Sequence, residues 1–536
     1  MKGLKKIIIS LFIFVSGLAF TSCKSNNEIK DISILFTNDI HCGIDDNLGF
    51  SSVKALKDKR KKEGYKTLLV DSGDEIQGGI YGMLSKGDAI VDLMNLCEYD
   101  IATIGNHEFD YGIDRLMELT DKANYPYVCC NFLKNEETVY EPYKILDVGN
   151  KKIGFIGILT PTTFTESTPS NFQDENGNFI YDFKGGEEGR LLYECVQDNI
   201  DKMKEENPDY IIALSHLGIE ESQNYYKSTD VIANTSGIDI VLDGHSHDVI
   251  EPMVISDMDG NDVVLAQTGT KLMNIGEIRI DKKGNITTHL INECNLKDTR
   301  IDKKIDAIKS QYESYLNEKI GYTPYDLKIA DETGRIVRNK ETNLGDFCAD
   351  ALRDSLDTDI AFINGGGIRS SIPKGDIALK DVLGVYTFQN KVGKAALTGS
   401  QILDILEYSV YSLPNEFGGF LQVSNMTFDV DMSINSSVRT DSNDFFLPLD
   451  SSSERRIKNV KIAGEDIVTD KIYTVASIDY LLFERGNGYP SHIDEIVTTN
   501  YLEDFCVLED FIEKLEIVPE AYMDIYGQNR INIING

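Results

Sequence analysis

Basic side chains are scarce in this chain of 536 residues: 53 Lys and Arg face 88 Asp and Glu, a formal net charge of −35. A surface that acidic repels polymeric nucleic acid and anionic membrane surfaces. It admits a small anionic substrate only where a pocket is locally positive. Cysteine occurs nine times, with no CxxC pair and no tight ladder. That excludes a disulfide scaffold and a Cys-ligated zinc module. Most of the thiols beyond position 23, at 42, 97, 129, 130, 195, 294, 348 and 506, are expected to be buried and free. There is no internal repeat and no low-complexity tract, which removes solenoid architectures. Histidine occurs only seven times, and where those seven fall matters more than their number. Against these absences, a hydrophobic content of 41% supports substantial cores, and the length suggests two to four domains.

The first residues read as a targeting segment. Lys2, Lys5 and Lys6 precede an apolar run over 7–20 that is too short for a comfortable membrane span. The run ends in Phe20-Thr21-Ser22-Cys23, which resembles a bacterial lipobox with Cys23 as the lipidated residue, and with Phe20 where Leu is usual. Ordinary secretory cleavage is the alternative. Residues 24–30 are polar and read as a tether. The expectation is an exported cell-envelope lipoprotein, periplasmic or surface-exposed, that meets the membrane only through its anchor.

From residue 31 to about 300, apolar runs alternate with helical patterns, which argues an α/β fold. Five of the runs end in polar motifs: Asn38-Asp39-Ile40-His41, Asp71-Ser72-Gly73-Asp74, Gly105-Asn106-His107-Glu108-Phe109-Asp110, Ser215-His216-Leu217-Gly218 and Asp243-Gly244-His245-Ser246-His247. In α/β sheets ligands gather beyond the carboxyl ends of the strands. Five of the seven histidines lie in these motifs; His289 and His492 lie outside and read as surface residues. Carboxylate, imidazole and amide donors suit Zn, Mn, Fe or Co more than soft metals. Two such ions about 3.5–4 Å apart clamp a phosphoryl group and generate a hydroxide at neutral pH. Asp74 is the natural bridging carboxylate.

This ordered set resembles the calcineurin-like metallophosphoesterases. With a second domain behind it, the pattern over roughly 31–530 resembles the secreted 5′-nucleotidase / UDP-sugar hydrolase family. The resemblance implies an N-terminal α/β/β/α sandwich and a C-terminal α/β nucleotide-binding domain. It implies two divalent ions: Asp39, His41 and His247 on one, Asn106, His216 and His245 on the other, and Asp74 between them. It gives His107 the role of stabilising the phosphoryl oxygens or protonating the leaving group, with Asp110 orienting it. The residues themselves agree for His107, since it follows directly on a ligand candidate and a cationic imidazole there stabilises developing charge. Glu108 and Asp243 read as supports for ligands or turns.

Residues 301–323 carry Ile301, Ile305, Ile308, Tyr312 and Leu316 at helical spacing and are expected to form a connector helix. It is either a hinge or a helix fixed on one domain. From 324 to 536 a second α/β region follows, with a helix expected over 344–356, a strand over 360–363 and short β-like runs from 425 onward. Asn364-Gly365-Gly366-Gly367-Ile368-Arg369 follows the strand. Glycine lets backbone approach a ligand, and the Arg369 fork suits oxygens. By resemblance Asn364, Gly366, Arg369, Arg338 and Asn390 line a nucleoside site, with Arg335 a weaker candidate. Phe420 and Tyr480 are the rings expected to hold the base. The family's GGDGY segment is Arg485-Gly486-Asn487-Gly488-Tyr489 here, so Asn487 stands where an Asp usually contacts the ribose. An amide can still bond a hydroxyl.

The function so implied is hydrolysis of nucleotides to free phosphate. Alternatives on the same site are 2′,3′-cyclic nucleotide phosphodiesterase, UDP-sugar hydrolase or thiosulfohydrolase action. An alternative of another class is an inactive surface nucleotide-binding protein.

Overall fold

In the computed structural model, residues 31–219, 225–441, 443–449, 453–490 and 496–535 are described. The expected leader, Cys23, the tether and His492 lie outside them.

The first region is built on two six-stranded sheets. One places Ile32–Thr37, Lys66–Asp71, Ile101–Thr103 and Tyr127–Val128 side by side in parallel. The other does the same with Lys151–Leu159, Tyr210–His216, Ile240–Leu242 and Asp262–Thr268. Antiparallel strands close one edge of the first sheet and both edges of the second. The runs are apolar throughout because both faces of each strand are covered. Along Ile32–Thr37, Ile34 and Phe36 point between the sheets onto Phe155, Ile212 and Leu242. Leu35 points the other way, into a layer with Phe50, Ile90 and Met94 of the covering helices. Helix Arg190–Glu205 covers the second sheet through Leu192, Val196 and Ile200. The expected α/β/β/α sandwich is thus present. Because the central strands are parallel, their carboxyl ends share one edge, and all five polar motifs leave from it.

The connector differs from expectation in extent. The helix is Thr299–Leu316, capped by Asp298, which accepts from the Arg300 N–H at 2.8 Å. Residues 319–323 are not helical. Ile320 and Thr323 favour extended backbone, and Lys319–Thr323 pairs antiparallel with Gly375–Ala378. Ile301, Ile305 and Ile308 pack on the first region, while Leu316 meets Met83, Leu379 and Leu383, so the last turn also touches the second region.

The second region holds a five-stranded and a four-stranded sheet around one core that includes Phe347, Ile363, Leu406, Val475 and Leu508. Helix Asn343–Leu356 and strand Ile360–Asn364 match the expected elements within a residue. The β-like reading of the tail misses a helix, Asp504–Leu515, whose Val507, Leu508 and Ile512 are buried. Six of the eight described cysteines are buried, Cys294 and Cys506 are half-buried, and all are free. Among the described residues no helix is long and apolar enough to cross a membrane.

Candidate metal centre and substrate cleft

The five motif loops are tight. Asp39, His41, Asp74, His245 and His247 all adopt left-handed backbone, with φ between 43° and 76°. Each such non-glycine residue costs about 1–3 kcal/mol, and such costs concentrate where geometry serves a site. Glycine is needed where the loops touch: a Cβ on Gly105 would lie 2.2 Å from Asp74 Oδ1 and 2.7 Å from its backbone N.

The loops bring the candidate ligands together. Asp39, His41, Asp74 and His247 each offer an atom within 4.8 Å of the others. His41 donates from Nδ1 to the Gln77 carbonyl at 2.8 Å, which leaves Nε2 with a lone pair 2.8 Å from His247 Nε2. Burial pushes both imidazoles well below their usual range, so they are neutral donors. His216 is fixed the same way: Nδ1 donates to the Ser72 carbonyl at 2.7 Å. Its Nε2 is buried with no hydrogen-bond partner and lies 3.2 Å from Asp74 Oδ2. His245 Nδ1 and Asn106 Oδ1 converge at 2.9 Å. Asp74 stands between the two sets, with Oδ2 also 3.6 Å from His41 Nε2 and Oδ1 accepting from the His107 N–H at 2.9 Å.

The electrostatics fit cations here. Burial would raise Asp74, but His216, His107 and His41 hold it well below the usual carboxylate range. Burial would lower His216, yet Asp74 and Asp39 lift it to about 10. Burial, opposed by His216, raises Asp39 to about 7, and Asp74 adds to the rise. The neutral His41 and His247 imidazoles, with lone pairs aimed at one another, and the buried carboxylates that draw a positive charge onto His216 are what divalent ions would satisfy. The donor set fits two such ions.

His107 Nδ1 is 2.6 Å from Asp110 Oδ2. Burial opposes protonation of His107, but Asp110 and Asp74 outweigh it and raise its pKa. Glu108 is a structural staple: it accepts the N–H groups of Asp74, Glu75, Ile76 and Gly105 at 2.6–3.3 Å. Asp243 Oδ1 similarly accepts from Leu217 and Gly218. His289 is outside the site, 43% exposed and 3.2 Å from Glu277.

One cleft joins this cluster to the second region. Asp74, Asn106, His107, Asp110, His245 and His247 line it from one side. From the other side come Arg335, Arg338, Asn364, Gly366, Arg369, Asn390, Tyr480 and Asn487. Burial and the neighbouring Arg335 lower Arg369 to about 10, and its guanidinium lies 5.5 Å from the Phe388 ring centroid. The Phe388 ring is 5.6 Å from that of His107. Arg335 is paired with Glu416 at 2.7 Å. Asn487 accepts from Asn364 Nδ2 at 3.1 Å, and its N–H donates to the Tyr480 hydroxyl at 2.9 Å. The cleft thus sets Arg338 and Arg369, with Arg335 paired to Glu416, opposite the carboxylates Asp74, Asp110 and Glu166.

Phe420 does not take the place expected of it beside the base. It is fully buried in the second core, where its carbonyl accepts from the Gly365 N–H, and it does not line the cleft. Phe417 and Tyr411 do. The turn Phe417-Gly418-Gly419-Phe420 sends its first ring into the cleft and its last into the core. Sequence reasoning also missed Glu166, which lines the cleft 3.3 Å from His245 Nε2. Nothing local marks it, since its partner lies far along the chain.

Comparison with known proteins follows this division. The calcineurin-like phosphoesterase profile matches residues 32–249, and the 5′-nucleotidase C-terminal domain profile matches 319–493. The chain is 29% identical over 512 residues to the trifunctional nucleotide phosphoesterase protein YfkN of Bacillus subtilis, covering 86% of this chain and 32% of that one. It thus spans about a third of that relative. It is 26% identical to the 5′-nucleotidase of Bos taurus, covering 92% of this chain and 90% of that one. Its fold superposes on the 5′-nucleotidase precursor of Thermus thermophilus with a TM-score of 0.79 at 24% identity, over 94% of this chain and all of that one.

Proposed function

Since the chain belongs to the family that joins a calcineurin-like phosphoesterase domain to a 5′-nucleotidase C-terminal domain, and is by that membership a metal-dependent phosphoesterase, we propose that it removes phosphate from nucleotides. Residues 31–300 form the phosphoesterase domain, 324–536 bind the nucleoside, and 301–323 join them. The observation that carries the reading is the shared cleft: the ligand cluster and His107 line one side, arginines and aromatic rings the other.

Asp39, His41 and His247 would hold one ion and Asn106, His216 and His245 the other, with Asp74 placed to serve both. Two divalent ions bound there supply Lewis acidity and an activated water for phosphoryl displacement. The chain's own residues do the rest. Arg369 and Arg338 receive the anion and orient it. His107, held through Nδ1 by Asp110, faces the phosphoryl group, where it stabilises the oxygens or protonates the departing nucleoside oxygen. Phe417 and Tyr480 stack the base, and Asn487, Asn364 and Asn390 bond the sugar. The products are a nucleoside and inorganic phosphate. The leader over 1–23 supports export, with Cys23 as the anchor.

A substrate panel tests this. AMP is expected to be turned over with a higher kcat/KM than 2′,3′-cyclic AMP or UDP-glucose in the presence of Mn²⁺. A reversed order would assign the same site to diester or sugar-nucleotide cleavage. Binding of AMP without turnover of any of the three would make the protein a nucleotide receptor.

A further inference from the structure

The segment 165–167 belongs to no ligand motif and no nucleoside motif, yet three parts of the site meet on it. Tyr480, from the second region, donates its hydroxyl to the Thr165 carbonyl at 2.7 Å. The next residue, Glu166, places Oε2 3.3 Å from His245 Nε2. The next, Ser167, donates its hydroxyl to Asp110 Oδ1 at 3.2 Å, and Asp110 is the carboxylate that holds His107. Three consecutive residues thus touch a wall of the nucleoside cleft, a ligand candidate and the His107 pair.

His245 is held differently from its neighbours. His41 and His216 turn Nε2 inward and anchor Nδ1 on backbone carbonyls of the loops that carry Asp74. His245 turns Nδ1 towards Asn106 and leaves Nε2 to a carboxylate. A carboxylate on the far nitrogen of a ligating imidazole fixes its tautomer and raises its basicity, and loss of such a partner typically costs 10–100-fold in metal affinity. Glu166 sits at the end of a helix of only four residues, Thr163–Glu166, with its side chain 27% exposed. Its aim therefore depends on what holds that helix, and the Tyr480 hydroxyl is a holder supplied by the other region.

Resting on the reading that Asn106, His216 and His245 take one of two ions, we propose that this segment transmits docking of the second region to the metal pair. Glu166 is the positioning residue for His245, and the Tyr480–Thr165 bond sets Glu166 in place. The residues that hold the nucleoside would thereby complete the centre that cleaves it.

The test is calorimetric titration of Mn²⁺ into the full metal-free chain. The native protein is expected to take two ions. Glu166→Gln, which keeps the shape and removes the charge, is expected to weaken one ion about tenfold and leave the other unchanged. Turnover in that variant should return at high Mn²⁺, which a misfolded site would not do. Tyr480→Phe, which keeps the ring, should weaken the same ion in the native background but add nothing in Glu166→Gln, the non-additivity expected of residues acting through one another. Native-like binding of both ions by Glu166→Gln would overturn the proposal and leave the hydrolase reading standing. Equal effects of Tyr480→Phe in the two backgrounds, including none, would overturn the coupling between regions. A native protein that takes fewer than two ions would sink the metal pair itself, and this proposal with it.

Discussion

Phe417 and Phe420 stand three residues apart and do different work. Phe420 has no exposed surface and belongs to the second core, while Phe417 lines the cleft. Phe420→Ala is expected to cost about 3–5 kcal/mol of stability, seen as a lowered Tm, with the KM of the folded fraction near the native value. Phe417→Ala should lower Tm less than Phe420→Ala does and raise KM for AMP roughly 5- to 150-fold, the effect of losing a stacking contact of about 1–3 kcal/mol. Asp504 offers a pH test. Burial lifts its carboxyl from 3.8 to about 7, against hydrogen bonds from Asn390 and the Phe505 N–H. The folded chain therefore holds a proton that the unfolded chain gives up. That stabilisation is complete below pH 3.8 and is lost as the pH rises through about 7. Asp504→Asn should melt higher than the native protein at pH 8, by at most about 4 kcal/mol, and match it near pH 4.

At the scale of elements, strands and loops were legible for separate reasons. Strands such as Ile32–Thr37 and Tyr210–His216 are covered on both faces and read as apolar runs. The ligand loops were legible because Asp, Asn and His are rare in such company. What escaped depends on tertiary packing. Lys319–Thr323 looked like the end of a helix because its extended state is stabilised by Gly375–Ala378, more than fifty residues on. Asp504–Leu515 follows a strand directly and shares its apolar texture. Glu166 gains its meaning only when His245 and Tyr480 arrive. Gly105 carries the element-scale prediction. Its missing Cβ is the space in which two ligand loops meet, so Gly105→Ala should displace Asp74. Calorimetry should then find fewer than two Mn²⁺ bound, with a lower Tm.

At the scale of the whole molecule, the two regions meet around the cleft rather than merely following one another in sequence. Gln77, beside the Asp74 loop, donates to the Thr387 carbonyl at 3.0 Å, and Tyr480 reaches Thr165. The arginines that line the cleft all come from the second region, while the metal-ligand candidates on its wall come from the first. In a chain with a net charge of −35, a phosphate is expected to be received where the arginines of one region face the ligand candidates of the other. The most direct test of that account is phosphate release from AMP by the native protein and by His107→Ala. Each is stripped with a chelator and then given Mn²⁺, with bound metal counted in both. Stripping is expected to abolish release and Mn²⁺ to restore it, and His107→Ala is expected to bind the same two ions while kcat falls about 10²- to 10⁴-fold. Release that survives stripping, or a His107→Ala variant with native kcat, would contradict that account.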